Sequence, residues 1–408
     1  MSALWAAAAL FGVLAGISLV VGLVARRPLG FLGLVLCALS CLFAAWSAAG
    51  LAAVHGEVAP AFVALAFAAA GSLAGYRLAA SLVLSAASGN PRARRRAQRP
   101  PAERLAVILA DAEPHEYDPR LLASRLARIE RTGAATLSPG VLPLVFLTER
   151  MRYRALRGPH PARYVVDAIA DGVRERLSRP GGTLDVAVAY VDSAPDLPSV
   201  IAASGSASLA VVELGAAGSL PYLEARLAAE RIAPPNRLPR VTEPSIWRDV
   251  RLASRLTERI LDRVPADERA ATGVVLLGPG TPSAWHAQSR SWLEDETYFL
   301  TRVAVLLEDA GVPSHAIRSA WVDWQSPNLA EALRHLAAIG STRIVVCPAA
   351  ILYPDLVTLL DTGRDVRDAR LPEHVQVTVL PPWGDDEVLI DVVASRIAQA
   401  LGLEPDAR

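Results

Sequence analysis

The sequence predicts an α/β protein with two similar parallel-sheet lobes facing a cleft, preceded by three transmembrane helices. Three observations carry that expectation. Long apolar runs open the chain at about Ala3–Ala25, Leu29–Val54 and Pro60–Tyr76, each near the ~20 residues that a helix needs to cross the hydrocarbon core. From residue 104 onward, short apolar β-rich runs alternate with amphipathic stretches of helical length, the pattern of right-handed βαβ units. The order of these elements then repeats in the second half. The expected organisation is a three-helix transmembrane segment over 1–89, a basic linker over 90–103, a first lobe over 104–236, a connecting segment over 237–270, a second lobe over 271–403 and a tail over 404–408.

The apolar runs set an orientation. The first has no charge before it and no clear n-region, so it does not read as a cleaved signal peptide. Arg26 and Arg27 follow it, the loop His55–Val58 has no arginine, and Arg77, Arg92, Arg94, Arg95, Arg96 and Arg99 follow the third run. Arginine-rich loops stay cytoplasmic, which predicts a multi-pass protein of the inner (cytoplasmic) membrane with its N-terminus outside and its C-terminal domain in the cytoplasm. Arg77 reads as an interfacial anchor, and Asn90–Ala102 as a linker lying against an anionic inner leaflet. Small residues abound in the three runs and suit close helix packing.

In the first half, Leu105–Leu109 reads as a strand, Leu121–Ile129 as a helix capped at Asp118 and Leu142–Leu147 as a strand. Ala162–Leu177 follows as a long amphipathic helix, Asp185–Val191 as a strand, Val200–Ala203 as a short helical piece and Leu209–Leu214 as a strand. A connector helix is expected over Ile246–Val264. In the second half, Val274–Leu277, Ile317–Trp324, Arg343–Cys347 and Val375–Leu380 read as strands. Helices are expected over Leu293–Ala310, Leu329–Ile339 and the stretch after Gly384-Asp385-Asp386-Glu387, whose acids suit a helix first turn.

Composition removes several function classes. Acidic and basic residues number 41 each, so net charge is zero and points to no nucleic-acid partner. All 41 basic residues are arginine, which leaves neither a P-loop nor a Schiff-base lysine. The first half has no G-x-G-x-x-G turn, and Gly278-Pro279-Gly280 is too short and stiff to cradle a phosphate; it suits a wall for a flat ligand. Cys37, Cys41 and Cys347 are scattered and suggest neither a disulfide framework, a zinc site nor an iron–sulfur cluster.

The stretch from Ser341 to Ile397 resembles the C-terminal part of ferrochelatases and the related cobalt chelatases. There a strand ending V-P-x-x-F is followed by S-D-H-x-E-T-L-x-E-L-D. In this chain ILYPDLVTLLDTG (351–363) keeps the frame at Pro348, Thr358 and Leu359, and an acid at Asp361. MRYRALRGPHP (151–161) is similar to the family's Y-R-x-I-G-G-x-S-P, with Arg157 and His160 as replacements and a turn role for His160. The stretch from Trp321 to Gln325 is similar to its W-Q-S, and PPWGDD (381–386) to the P-P-x-G-D-D of the smaller cobalt chelatases. The resemblance spans nearly all of 104–403 and implies two chelatase-like lobes that handle a tetrapyrrole, as in heme biosynthesis.

The resemblance also implies where the chemistry should sit. Metal insertion needs acceptors for two pyrrole protons and a path for a divalent cation, which an imidazole beside a carboxylate supplies. The family's first histidine falls on Pro279, its loop histidine on Asp355 and its catalytic glutamate on Val357. The usual His/Glu pair is therefore missing. Replacement candidates are His286 in Ser283–Ser291, then Tyr353, Asp355 and Asp361 in the loop opposite. The run Asp111, Glu113, His115, Glu116 and Tyr117 after the first strand is the densest set of ligand-type side chains. Each has a plain structural reading as well, as solvated loop, surface histidine or helix cap. Trp285, Trp324, Tyr353 and Trp383 would line a cleft fit for a flat aromatic ligand.

Three readings follow. The first is a membrane-anchored, catalytically degenerate chelatase-like protein that binds porphyrin, heme or a protein partner of the heme pathway without inserting metal. The second is an active ferrochelatase that inserts ferrous iron with relocated groups. The third is an interaction scaffold with a closed cleft.

Overall fold

The structure, a computed structural model, describes residues 2–26, 29–55, 58–87, 103–178, 184–234 and 238–403. Most of the basic linker, Arg27 and the C-terminal tail lie outside the described residues. The chain divides into two compact units, Met1–Pro91 with Glu116–Gly158, and Arg92–His115 with Pro159–Arg408.

The first unit is helical. α1 (Ser2–Val24), α2 (Leu29–His55) and α3 (Ala59–Ala87) form because their apolar runs hold no interior charge before Arg77. Within them Leu4–Val24, Leu29–Val54 and Ala59–Val83 are 21, 26 and 25 residues long, apolar and long enough to cross a membrane. α1 and α3 touch backbone to backbone. A Cβ at Gly12 would lie 2.2 Å from the Ala68 carbonyl oxygen, and one at Gly16 would lie 2.0 Å from that of Ser72. Gly71 and Gly75 answer from α3, so each helix presents a G-x-x-x-G face that only glycine can supply at this distance.

Two further helices complete this unit, α4 (Pro119–Arg131) and α5 (Leu142–Ala155). Asp118 caps α4 by accepting from Arg120 N at 3.0 Å. The strand expected over Leu142–Leu147 is instead the start of α5. Only Val145 in that run is β-branched, Pro143 occupies the first turn where a missing N–H costs nothing, and the buried positions Leu142, Phe146 and Arg150 recur at i, i+4 and i+8. Ala80 of α3 packs with Tyr117, Ala123, Leu126, Leu142 and Phe146. Four long-range hydrogen bonds from three side chains fix the arrangement. Tyr117 Oη donates to Val24 O at 2.8 Å, Tyr76 Oη to Gly140 O at 2.9 Å, and buried Arg150 donates Nη1 to both Gly22 O and Ala25 O at 2.9 Å.

The second unit holds two sheets. Its first half runs β1 (Arg104–Ala110), α6 (Ala162–Leu177), β2 (Leu184–Tyr190), α7 (Leu197–Ala203), β3 (Ser208–Leu214), α8 (Leu220–Glu230) and β4 (Arg240–Val241). These four strands are parallel in the order β2-β1-β3-β4. A 3₁₀ turn (Ile246–Arg248) leads to α9 (Val250–Leu261), so the expected connector helix is split. Asp249 takes the N-cap of α9, accepting from Arg251 N at 3.1 Å, and so starts a new helix there.

The second half runs β5 (Thr272–Gly278), α10 (Arg290–Asp309), β6 (Ile317–Trp321), α11 (Leu329–Ala338) and β7 (Arg343–Pro348). A π-helical turn (Val357–Asp361) then enters α12 (Thr362–Asp368), followed by β8 (Gln376–Val379) and α13 (Glu387–Leu401). Its strands are parallel in the order β6-β5-β7-β8, the first half's order repeated. The duplication expected from the sequence is thus present strand for strand.

The largest core lies between the inner faces of the two sheets and the helices α6, α9, α10 and α13, with Trp247, Trp292 and Phe299 fully buried in it. Trp247 meets Phe299 at 4.9 Å between ring centroids and donates Nε1–H to Gly215 O at 2.7 Å. Smaller cores fill the outer faces, under α7 and α8 in one half and under α11 and α12 in the other. Both sheets therefore have apolar residues on both sides, as parallel sheets require.

Candidate functional site

In register, Ala110 of β1 pairs with Tyr190 of β2 and Leu214 of β3, so three strands end together. Leu277 of β5 likewise pairs with Ala320 of β6 and Pro348 of β7. Loops leaving such carboxyl edges are where open α/β sheets bind ligands. Side chains from both halves converge there. Glu113 comes from the loop after β1, His160 from the entry to α6, and Asp355 from the loop after β7.

The geometry around them is specific. His160 is fully buried, and its Nε2 lies 2.9 Å from Glu113 Oε2. Ala162 N–H donates to His160 Nδ1 at 3.3 Å, so the ring proton of a neutral imidazole belongs on Nε2, facing the carboxylate. The same Glu113 Oε2 accepts from Leu356 N at 2.9 Å. Asp355 Oδ1 accepts from Thr358 N at 2.6 Å, while Thr358 Oγ1 accepts from Asp355 N at 2.9 Å. Two carboxylates from different halves therefore sit at one helix N-terminus, where free N–H groups and the helix dipole favour negative charge. His115 closes the group. Its Nδ1 lies 2.9 Å from His160 O, His160 N donates to His115 O at 2.9 Å, and its ring lies 4.2 Å from that of exposed Tyr164.

This packing shifts one titration toward neutrality. Burial pushes the Asp355 carboxyl up to about 6, and the neighbouring Glu113 charge pushes the same way. The Thr358 hydrogen bonds and His160 pull it down without cancelling the rise. An acid that titrates near 6 can exchange protons at physiological pH. Among the described residues, no group of three or more His, Cys, Asp or Glu side chains is arranged to hold a metal ion.

The other sequence-derived candidates are spread along the same edge or lie in the core. Asp111 N donates to Tyr222 Oη at 3.0 Å, and Tyr353 is buried with its Oη 3.5 Å from Leu214 O. Pro279 follows β5, and His286 Nε2 lies 3.2 Å from Thr281 O. Trp285 ends a short 3₁₀ turn (Ser283–Trp285), and Trp324 is 47% exposed with a left-handed φ of 65°. Val357 opens the π-helical turn and Asp361 closes it, buried and 3.0 Å from Arg364 Nη2. Trp383 is a core residue, not an edge residue. It is buried against Phe299, and its Nε1 donates to Ala349 O at 2.7 Å.

Two groups escaped the sequence reading. His160 is a turn residue, as expected, but also the partner of Glu113; its signal is the Gly158-Pro159-His160-Pro161 entry to α6. Glu296 of α10 is the other. It is buried beside Gly278 and Trp321 Nε1, and a Cβ at Gly278 would lie 2.4 Å from its Oε1. Burial raises its carboxyl to about 7, against a smaller opposing effect from the Trp321 indole N–H.

The CbiX family profile matches residues 299–400, from within α10 to the end of α13. No curated protein matches the chain. Among solved structures, the chain is similar to a multi-domain protein from Deinococcus radiodurans described as structurally similar to chelatases with two additional novel domains. That likeness has 13% identity and a TM-score of 0.46, and covers 74% of this chain and 56% of the other, so about half of that protein's length. SirB from Bacillus subtilis with Fe3+ is similar at 15% identity and TM-score 0.45, covering 73% and 96%. The sirohydrochlorin chelatase SirB from Bacillus subtilis subspecies spizizenii, in complex with cobalt, is similar at 14% identity and TM-score 0.43, covering 74% and 96%. The profile match supports a chelatase family for the second half.

Proposed function

We propose that the protein is a membrane-anchored chelatase-type protein that binds a tetrapyrrole at the carboxyl edges of its two sheets. Glu113 and Asp355 serve as the proton acceptors, and His160 holds Glu113 in place. The convergence of these three side chains from both halves on one point carries the reading. The positions that the family resemblance marks for catalysis hold Pro279 and Val357, which can accept no proton, so the acid–base work passes to the cluster across the edge.

Inserting a divalent ion exchanges two pyrrole N–H protons for one metal, and both protons must leave. Two carboxylates, Glu113 and Asp355, can take one each. Asp355, titrating at about 6, is half-ionised at about pH 6 and mostly anionic, able to accept a proton, at pH 7. Glu113, held by Leu356 N–H and His160 Nε2, is fixed in orientation. The exposed Tyr164 ring, with His115 against it, offers a flat surface on which a tetrapyrrole face can stack. The metal enters here as substrate: ferrous iron or cobalt, with sirohydrochlorin or a porphyrin as the macrocycle.

A second reading is favoured by the complete burial of His160 and by the backbone bond that already occupies Glu113. In it the protein binds the tetrapyrrole, or passes it to a pathway partner, without inserting metal. One experiment separates the two. The full chain in detergent is mixed with sirohydrochlorin or protoporphyrin, then with ferrous iron or cobalt, and the absorption band is followed. Chelation predicts a band shift on binding and a second on insertion, with the second slowed roughly 10²–10⁴-fold in Glu113→Gln or His160→Ala. Binding alone predicts only the first shift, and Pro279→His with Val357→Glu would then be the route to insertion. A chain that shifts the band of neither macrocycle refutes both.

A further inference from the structure

We infer that α5 is a membrane-surface helix, its exposed stripe bedded in the boundary between lipid headgroups and acyl chains. The inference rests on the reading that α1, α2 and α3 cross a bilayer. α5 shows two faces. Leu142, Phe146 and Arg150 are buried against the other helices, whereas Val141, Leu144 and Met151 are 54%, 49% and 58% exposed. These three, with Thr148 between them, recur at i, i+3, i+7 and i+10 and form one uncharged stripe. In water such a stripe has no partner.

The depth of the helix identifies the partner. At its beginning, Gly140 O accepts from Tyr76 Oη. Tyr76 directly precedes Arg77, the interfacial anchor of α3, within the span Ala59–Val83. Further along, Arg150 Nη1 holds Gly22 O in the last turn of α1 and Ala25 O just beyond it, where the α1 span ends at Val24. Both points that hold α5 therefore lie at the level of the slab's edge. Its guanidinium there is satisfied by helix carbonyls, which also complements the negative end of the α1 dipole. The exposed charges come next: Arg154 and Arg157 follow the stripe on the side where phosphates would lie. An apolar stripe that ends in arginines at a span's edge matches an anionic lipid surface, into which such helices sink by about 5–10 Å.

The test uses the full chain with Cys37 and Cys41 replaced by alanine and buried Cys347 left in place. Single cysteines at Leu144→Cys, Thr148→Cys and Met151→Cys carry an environment-sensitive fluorophore. The protein is reconstituted in phosphatidylcholine–phosphatidylglycerol vesicles that contain nitroxide-labelled lipid, and aqueous iodide is the second quencher. A chain in which only Cys37 is replaced, so that Cys41 on α2 is retained, serves as the span reference, and Ser254→Cys, exposed on α9, as the water reference. The expected result is nitroxide quenching at 144, 148 and 151 at least threefold above that at 254, with iodide quenching reduced by a similar factor. Iodide quenching equal to that at 254, while Cys41 reports lipid, refutes the inference and leaves the membrane reading standing. A water signal at Cys41 as well refutes the membrane reading and the inference with it. Protection of the stripe from both quenchers means that protein covers it, and also overturns a lipid partner.

Discussion

Replacing Glu296 with glutamine should make the protein more stable in alkali and almost unchanged in acid. The carboxyl is buried under Gly278 and held at about 7, against an ordinary value of 4.5. In the folded protein it keeps its proton over a range in which the unfolded chain has lost it. Stability from this group is therefore greatest below pH 4.5 and declines as pH rises toward 7, above which a buried anion is carried at full cost. One pKa unit corresponds to 1.36 kcal/mol, which puts the total near 3 kcal/mol and the change between pH 5 and pH 8 at about 2–3 kcal/mol. Glutamine keeps the shape, removes the titration and still offers an oxygen to the Trp321 N–H. Thermal melts of both proteins in the same detergent, followed by tryptophan emission, give the comparison. At about 2 °C per kcal/mol for a unit of this size, the variant should gain roughly 5 °C over the wild type at pH 8 relative to pH 5. An advantage that is equal at both pH values, or larger at pH 5, would show that Glu296 is ionised in the fold and that the argument from burial is wrong.

Three other outcomes are expected. Arg150→Met removes charged hydrogen bonds to Gly22 O and Ala25 O, worth about 2–3 kcal/mol; trypsin should then cut within 116–158 several-fold faster, and an unchanged rate would contradict the anchoring role. Gly16→Leu places a side chain where a Cβ already lies 2.0 Å from Ser72 O, so α1 and α3 must separate at a cost of roughly 1–3 kcal/mol, visible as unfolding at lower SDS fraction. Asp355→Asn should abolish the step near pH 6 in the pH profile of tetrapyrrole binding, since Asp355 becomes anionic as pH rises through about 6; a step that persists assigns the titration to another group.

Several of these features could be read from the chain and others could not, for physical reasons. The duplication is legible at residue level. Tyr190-Val191-Asp192 leads to Pro195-Asp196-Leu197, and Trp321-Val322-Asp323 leads to Pro327-Asn328-Leu329. Both segments do the same work: Tyr190 bridges to Asp196 and Trp321 to Asn328, and the second member of each pair then caps a helix by accepting from Ser199 N or Glu331 N. Leu142–Leu147 is a short apolar run whose periodicity fits either structure, and only packing against Ala80 and Phe146's neighbours decides for helix. Glu296 hides in the acidic run Glu294-Asp295-Glu296, yet its phase is visible, because Trp292, Phe299, Leu300 and Val303 lie on the same stripe. The pairing of His160 with Glu113 leaves no local trace. It depends on two loops meeting after the long excursion through α4 and α5.

That excursion has a closed neck. The chain leaves the second unit after His115 and returns at Pro159, and His160 N–H meets His115 O at 2.9 Å. Seen this way, 116–158 is an insertion that can be excised. Joining residues 103–115 to 159–403 through a short glycine–serine bridge needs to span only the distance that this hydrogen bond already closes, and places of this kind are where insertions are tolerated. The cut removes α4, α5 and, with the N-terminal residues omitted, the three apolar spans found among the described residues. It keeps Glu113, His115, His160 and Asp355. Such a fragment should be handled without detergent and retain the second unit's tryptophan emission. Tetrapyrrole chemistry could then be measured on it free of the lipid background that the full chain brings.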